Sequence, residues 1–247
     1  MDRPVRNILL RLAFVGTNYA GWQRQQNDTS VQGVVEQAIK AVTGECVSLV
    51  GCSRTDAGVH AEDYVANFRT ATAIPADRFR PAIQTKLPRE IQILASKEVA
   101  PGFNARRCSY EKTYRYQIVL GTSPFLQDRW WQYTSVVDFS VLPELAELLI
   151  GMHDFSGFCV QKSLKDDNRC VIKDAAWRKS GKKLYFKITG DRFLHHMVRF
   201  LVGAQFEVAA GRLTRRDFEL ILKNPAEKRA LYPAPAEGLY LMKVKLR

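Results

Sequence analysis

Between residues 51 and 61 the chain reads Gly51-Cys52-Ser53-Arg54-Thr55-Asp56-Ala57-Gly58-Val59-His60-Ala61. An arginine and a carboxylate stand two residues apart, with glycines on both sides and a histidine after them. A cation at that spacing favours the ionised carboxylate, and an ionised carboxylate is a nucleophile or a general base. The same residue types also make an ordinary polar turn with a surface ion pair. The flanks bear on the choice. Val47 to Val50 reads as a buried strand and Tyr64 to Phe68 as another, so the loop is held by a rigid scaffold, as loops that carry chemistry commonly are.

The elements that position this loop follow from periodicity and punctuation. Asn7 to Phe14 is expected to be a strand. Residues 31 to 43 are expected to be a helix, with Thr29 and Gln32 as a capping box. Cys46 to Cys52 and Asp63 to Arg69 are expected strands. A helix follows Pro75 and ends by Pro88, and Ile91 to Val99 is a strand. The order is β-α-β-β-α-β, the split pattern of ferredoxin-like units. The second half repeats it. Tyr110 to Leu120 reads as a strand and Pro143 to Ile150 as a helix. Val171 to Ser180 and Lys183 to Thr189 read as strands around the Ser180-Gly181 turn. A long apolar helix from Phe193 to Ala210 stops at Gly211. A helix of about Arg215 to Lys223 has Thr214 as N-cap, and Leu239 to Leu246 is a last strand. The expected fold class is therefore α+β, with an N-terminal unit over 1–105 carrying the aspartate loop and a C-terminal unit over 106–247.

Composition narrows the partner. The 247 residues carry 37 Lys and Arg against 25 Asp and Glu, a formal charge of +12. That balance predicts a polyanionic partner, and nucleic acid fits better than a membrane because no basic amphipathic helix stands out. Basic and aromatic residues alternate in Tyr114-Arg115-Tyr116, which suits phosphate contact beside base stacking. No stretch approaches the roughly 20 apolar residues of a membrane span. The charged N-terminus lacks the apolar region of a signal peptide, so a cytoplasmic protein is expected. The five cysteines form no C-x-x-C pair. They are expected to be structural thiols rather than disulfides or zinc ligands. His60, His153, His195 and His196 fit no standard metal motif, and the adjacent His195 and His196 cannot share one helix face. His60 is expected either to orient its loop or to contact RNA.

Six further segments stand in order around the loop. They are Tyr19-Ala20-Gly21-Trp22-Gln23-Arg24-Gln25, Ser30-Val31-Gln32, Lys112-Thr113-Tyr114-Arg115-Tyr116, His153-Asp154-Phe155, His195-His196-Met197-Val198-Arg199 with Leu201-Val202-Gly203, and Glu237-Gly238-Leu239-Tyr240-Leu241. Together with Gly51 to Ala61 they resemble the bacterial tRNA pseudouridine synthases that act on the anticodon arm at positions 38 to 40. The resemblance covers nearly the whole chain.

It implies that two antiparallel sheets join around a central RNA-binding cleft. It implies that uridine is isomerised to pseudouridine in the anticodon stem-loop, with no cofactor, and that two subunits form a homodimer sharing one tRNA. Asp56 is then the nucleophile or base, acting on the uracil ring, on ribose C1′ or through a glycal. Arg54 fills the space left by an extruded base, because the target atoms are buried in a stack. Arg199 is the basic partner of the aspartate, suited by its permanent charge and bidentate geometry. Tyr114 stacks on the uracil or handles its proton, and Leu239 is the apolar wall of the uracil pocket. Charge alone is equally met by a non-catalytic RNA-binding or tRNA-folding protein on the same scaffold. The presence of Arg54, Asp56, Tyr114 and Arg199 favours the enzyme.

Overall fold

The computed structural model describes residues 4–247. It is a mixed α/β protein of mainly antiparallel sheet, divided into two compact units. One comprises the described residues up to Tyr110 together with Tyr240–Arg247, and the other comprises Glu111–Leu239.

The first unit opens with β1 (Arg6–Phe14), α1 (Val31–Thr43), β2 (Val50–Gly51), β3 (His60–Thr70), α2 (Phe79–Gln84), β4 (Ile91–Val99) and the single turn α3 (Ala105–Cys108). β1 lies between β4 and β3, antiparallel to both, and β2 pairs with β3. Residues that face each other across antiparallel strands share a sheet face. Ile8, Leu10 and Leu12 oppose Phe68, Ala66 and Tyr64, and all six are fully buried. Val31, Val35 and Ile39 recur one helical turn apart on α1 and are likewise buried. Each such side chain stabilises the unit by about 1.5–3 kcal/mol. Ser30 caps α1 by accepting a hydrogen bond from Gly33 N, and Gly44 ends it in the left-handed region at φ 76°.

The second unit contains β5 (Ser109–Leu120) from Glu111 onward, β6 (Trp131–Tyr133), α4 (Val141–Glu147), β7 (Gly151–Asp154), β8 (Arg169–Ser180), β9 (Lys183–Gly190), α5 (Met197–Ala209) and α6 (Arg215–Lys223). Its strands run in the order β5-β9-β8-β7, with β6 parallel to the end of β5. The buried Tyr116, Phe186 and Ala175 make one apolar face with Trp177, and α5 packs on it through Phe206, whose ring is 5.7 Å from that of Trp177. Trp177 Nε1 also donates to Gln205 Oε1 at 2.8 Å, so the buried amide is satisfied. The last strand, β10 (Leu239–Leu246), starts in this unit at Leu239. From Tyr240 it belongs to the first unit, where Tyr240 and Leu241 pair parallel with His60 and Ala61 of β3.

Four sequence expectations need correction. The strand expected over Cys46–Cys52 shrinks to Val50–Gly51, because Leu49 N donates to the buried Glu36 carboxylate rather than to a neighbouring strand. The N-cap of α1 is Ser30 rather than Thr29, and Gln32 turns its amide toward Glu36 and Leu49 O. The helix expected from Phe193 starts only at Met197. His196 sits before it with φ 62°, and His195 O accepts from Val160 N. His195 and His196 are therefore in a turn, not on a helix. The helix expected over 143–150 occupies Val141–Glu147.

Candidate active site

Arg54 and Asp56 lie in the first unit, on the loop between β2 and β3. Arg54 and Ala57 are exposed, Asp56 is half-buried and Thr55 is buried. The backbone of this loop is fixed on several sides. Cys52 N donates to Val65 O at 2.9 Å and Val59 N to Asp56 O at 3.2 Å. The Tyr64 hydroxyl donates to Ser53 O. Trp22 N donates to Thr55 O at 3.2 Å, and Gly58 N to Tyr19 O at 3.3 Å. The Tyr19-to-Gln25 segment is thus the physical support of the Arg54–Asp56 segment.

Three glycines outside the 52–60 turn make that support possible. A side chain on Gly16 would put its Cβ 2.0 Å from Val59 O. One on Gly21 would put it 2.4 Å from Thr55 O, and one on Gly51 would meet Tyr64 and Trp22 at 2.2 and 2.5 Å. Gly21 also needs its φ of 87°, which L side chains rarely adopt. Trp22 stacks on Tyr64 with centroids 4.1 Å apart, directly behind the loop.

His60 is buried at 1% exposure. Its Nδ1 accepts from Gly16 N at 3.0 Å, which requires Nδ1 to carry no proton, and its ring stacks on Tyr240 at 4.5 Å. His60 thus sits inside the first unit, its ring fixed against Gly16 and Tyr240. Thr55 Oγ1 is different: it is buried and has no hydrogen-bond partner among the described residues. An unmet buried hydroxyl costs about 1–3 kcal/mol, and such groups invite a functional explanation.

Tyr114, Arg199 and Leu239 lie in the second unit. Tyr114 is 7% exposed, on β5 opposite Ile188, with its ring edge-on to Phe193 at 5.0 Å. Arg199 is half-buried in the first turn of α5. Its Nε donates to Ala234 O at 2.7 Å, and its own carbonyl accepts from Ala234 N at 2.9 Å. One turn further, a Cβ on Gly203 would lie 2.1 Å from Tyr232 O. Residues 232–235 therefore strap across one face of α5. The strap is tied on its other side by Tyr116, whose hydroxyl donates to Pro235 O at 2.6 Å. Burial, with help from Glu237 and against the pull of Arg199, raises the Tyr116 pKa well above that of a free tyrosine, so this hydroxyl stays protonated and serves as a donor. Gly238 lies against the Tyr116 ring, where a Cβ would approach to 2.7 Å, and the next residue is Leu239, 5% exposed. One strap and one tyrosine thus fix the neighbourhoods of Arg199 and Leu239. Tyr114 shares the strand face of Tyr116, two residues away.

Thr55, Trp22 and Tyr116 stand inside segments that the sequence points to, but their structural parts are not legible there, because their partners are far away in the chain. Tyr116 is fully buried, so it is a strap anchor and not an aromatic offered for base stacking. The Tyr232–Pro235 strap was not singled out from sequence, and its local signal is the prolines Pro233 and Pro235.

A family model described as tRNA pseudouridine synthase matches residues 12–110 and 145–246. The match takes in Arg54, Asp56, Arg199 and Leu239 and leaves Tyr114 between its two segments. The tRNA pseudouridine synthase A of Acetivibrio thermocellus is 42% identical over 242 residues, spanning 97% of this chain and 99% of the relative. That of Clostridium kluyveri is 39% identical over 242 residues, with the same spans. Likeness that runs through both units and through the loop bearing Asp56, at this identity and length, admits one conclusion: the chain belongs to the tRNA pseudouridine synthase family.

Proposed function

We propose that this protein isomerises uridine to pseudouridine in tRNA, at positions 38, 39 or 40 of the anticodon stem-loop. The observation that carries the reading is the near-full-length identity to relatives named tRNA pseudouridine synthase A, with the Asp56 loop inside the matched family segment. The chemistry balances without a co-reactant. The N1–C1′ bond breaks, a C5–C1′ bond forms, C5 loses its proton and N1 gains one. Asp56 is the nucleophile or base, and its half-buried setting on a braced loop suits a group that must hold position. Arg54, exposed beside it, replaces the flipped base in the RNA stack. Tyr114, Arg199 and Leu239 bind the target nucleotide and its carboxylate partner.

The paired ferredoxin-like architecture belongs to the same reading. It is supported by the β1-α1-β2-β3-α2-β4 order of the first unit and by its β4-β1-β3 pairing with β2 on β3. We also propose a cytoplasmic homodimer that shares its tRNA. A charge of +12 gives the polyanion affinity that this requires, and among the described residues no helix is long and apolar enough to cross a membrane.

The test is to incubate the protein with an unmodified tRNA transcript carrying uridines at 38 to 40 and to map pseudouridine. Product at those positions, lost in Asp56→Asn while tRNA affinity is kept, is the expected result. No product from folded wild-type protein would refute the activity. Turnover retained in Asp56→Asn would refute the assigned residue. Sedimentation at several concentrations decides the assembly, and a fully active monomer would overturn the shared-tRNA arrangement.

A further inference from the structure

Thr55 is 8% exposed, between the exposed Arg54 and the half-buried Asp56, and its Oγ1 meets no hydrogen-bond partner among the described residues. Valine has nearly the shape of threonine and no hydroxyl to satisfy, so the free protein carries this polar group at a cost in stability. Departures from local consistency of this kind are expected where a chain does chemistry. The Thr55 backbone is not free to swing its side chain toward water. Its carbonyl accepts from Trp22 N at 3.2 Å, and Gly21 lies so close that a Cβ there would stand 2.4 Å from the same oxygen.

The shortest route to a partner is local. A threonine oxygen accepts from the backbone N–H two residues on and closes an ST-turn, and for Thr55 that donor is Ala57. The next two N–H groups are committed elsewhere, Gly58 N to Tyr19 O at 3.3 Å and Val59 N to Asp56 O at 3.2 Å. Ala57 is exposed in the free protein, within reach of water. RNA seated on Arg54 and Asp56 covers Ala57 as well and takes that water away. A backbone N–H removed from water requires an acceptor, and the Thr55 hydroxyl is already buried beside it in the chain. Closing the turn satisfies both groups, and the residue it spans is Asp56.

We propose that Thr55 is a positioning residue: its hydroxyl, unmet in the free protein, accepts from the Ala57 N–H when tRNA covers the loop, and so fixes the backbone on both sides of Asp56. The inference rests on the proposed activity for its ligand. It places no contact between Thr55 and RNA, and it is independent of the nucleotides around the target uridine.

The experiment compares wild type, Thr55→Val and Thr55→Ser. It measures Tm, affinity for an unmodified tRNA transcript, the single-turnover rate at saturating tRNA, and hydrogen exchange in the peptide carrying the Ala57 N–H, with and without tRNA. Thr55→Val is expected to keep or raise Tm and to bind the transcript about three- to tenfold more weakly. At saturation it is expected to react about tenfold or more slowly, and to lose part of the slowing of exchange that tRNA gives the wild-type peptide. Thr55→Ser keeps the oxygen and is expected to restore affinity, rate and protection. Wild-type affinity and rate in Thr55→Val would overturn the proposal. So would a Thr55→Ser protein as impaired as Thr55→Val, which marks a packing role, or full protection of the peptide by tRNA in Thr55→Val. A Thr55→Val protein that melts earlier than wild type would overturn it too, because the hydroxyl would then be bonded before tRNA arrives. A wild type that makes no pseudouridine refutes the activity, while affinity and exchange still decide the Thr55 turn.

Discussion

Replacing Gly21 by alanine tests whether the Tyr19–Gln25 segment supports the loop that bears Asp56. Gly21 has φ 87°, and an L-residue in left-handed backbone costs about 1–2 kcal/mol. The added Cβ would stand 2.4 Å from Thr55 O and 3.0 Å from Asp56 C. Carbon–oxygen contacts settle near 3.3–3.6 Å, so the two backbones must part by about 1 Å. Parting breaks the Trp22 N–Thr55 O bond of 3.2 Å, for about another 0.5–1.5 kcal/mol. The sum is about 1.5–3.5 kcal/mol. For a chain of this size that lowers Tm by about 3–14 °C. With Asp56 as the proposed reacting group, a displacement of about 1 Å costs on the order of a hundredfold in rate, and the loss should appear in kcat if binding rests, as proposed, on dispersed phosphate contacts. The assay is single-turnover pseudouridine formation with calorimetry alongside. Gly102→Ala is the control, since Gly102 is exposed and nothing lies within 4 Å of its Cβ position. A Gly21→Ala protein with wild-type Tm and wild-type kcat would refute the claim that this close approach holds Asp56 in place.

Thr55→Val should leave Tm unchanged or raise it, because a buried hydroxyl without a partner is exchanged for a methyl group; a fall equivalent to more than about 1 kcal/mol in calorimetry contradicts the orphaned state. Hydrogen bonding to Arg212 lowers the Glu207 pKa against the effect of its partial burial. A depressed carboxyl contributes stability above its unfolded pKa and loses it as pH falls through the folded one, so Glu207→Gln should flatten the stability profile below about pH 4.5, and an identical acid limb in denaturant titrations would refute that. Burial pushes the Cys159 thiol up to about 11 and the Cys170 thiol up to about 12, whereas Cys46 is exposed. A disulfide reagent at neutral pH should therefore modify Cys46 first and reach the other two only on unfolding; early labelling of Cys170, read by peptide mass, would count against the packing around it.

Local signals were enough wherever an element's stability is local. Thr214 and Asp217 stand three residues apart before an amphipathic run, and the structure shows the reciprocal capping box at the head of Arg215–Lys223. The bounds Ile91–Val99 and Leu239–Leu246 follow from strand-forming runs with clear ends and are observed as expected. The residues proposed for the site, Arg54, Asp56, Tyr114, Arg199 and Leu239, each lie in a short recognisable segment. The failures have a common cause. Val47–Val50 has strand composition, yet its backbone is claimed by Glu36, from a helix 13 residues earlier at Leu49. Trp131–Tyr133 forms a strand only because Ile118–Leu120 lies beside it in parallel, a pairing that no periodicity of three residues can announce. The long apolar run from Phe193 reads as continuous helix, but His196 turns left-handed where His195 bonds Val160. Sequence by itself thus determined the chemistry on offer and most of the local elements. Only the tertiary structure decided what holds that chemistry still: Gly16, Gly21 and Gly51 yielding space to the Asp56 loop, and the Tyr232–Pro235 strap holding Arg199. Most of those contacts join residues about 30 or more positions apart, and close packing between distant segments leaves no periodic trace in either one.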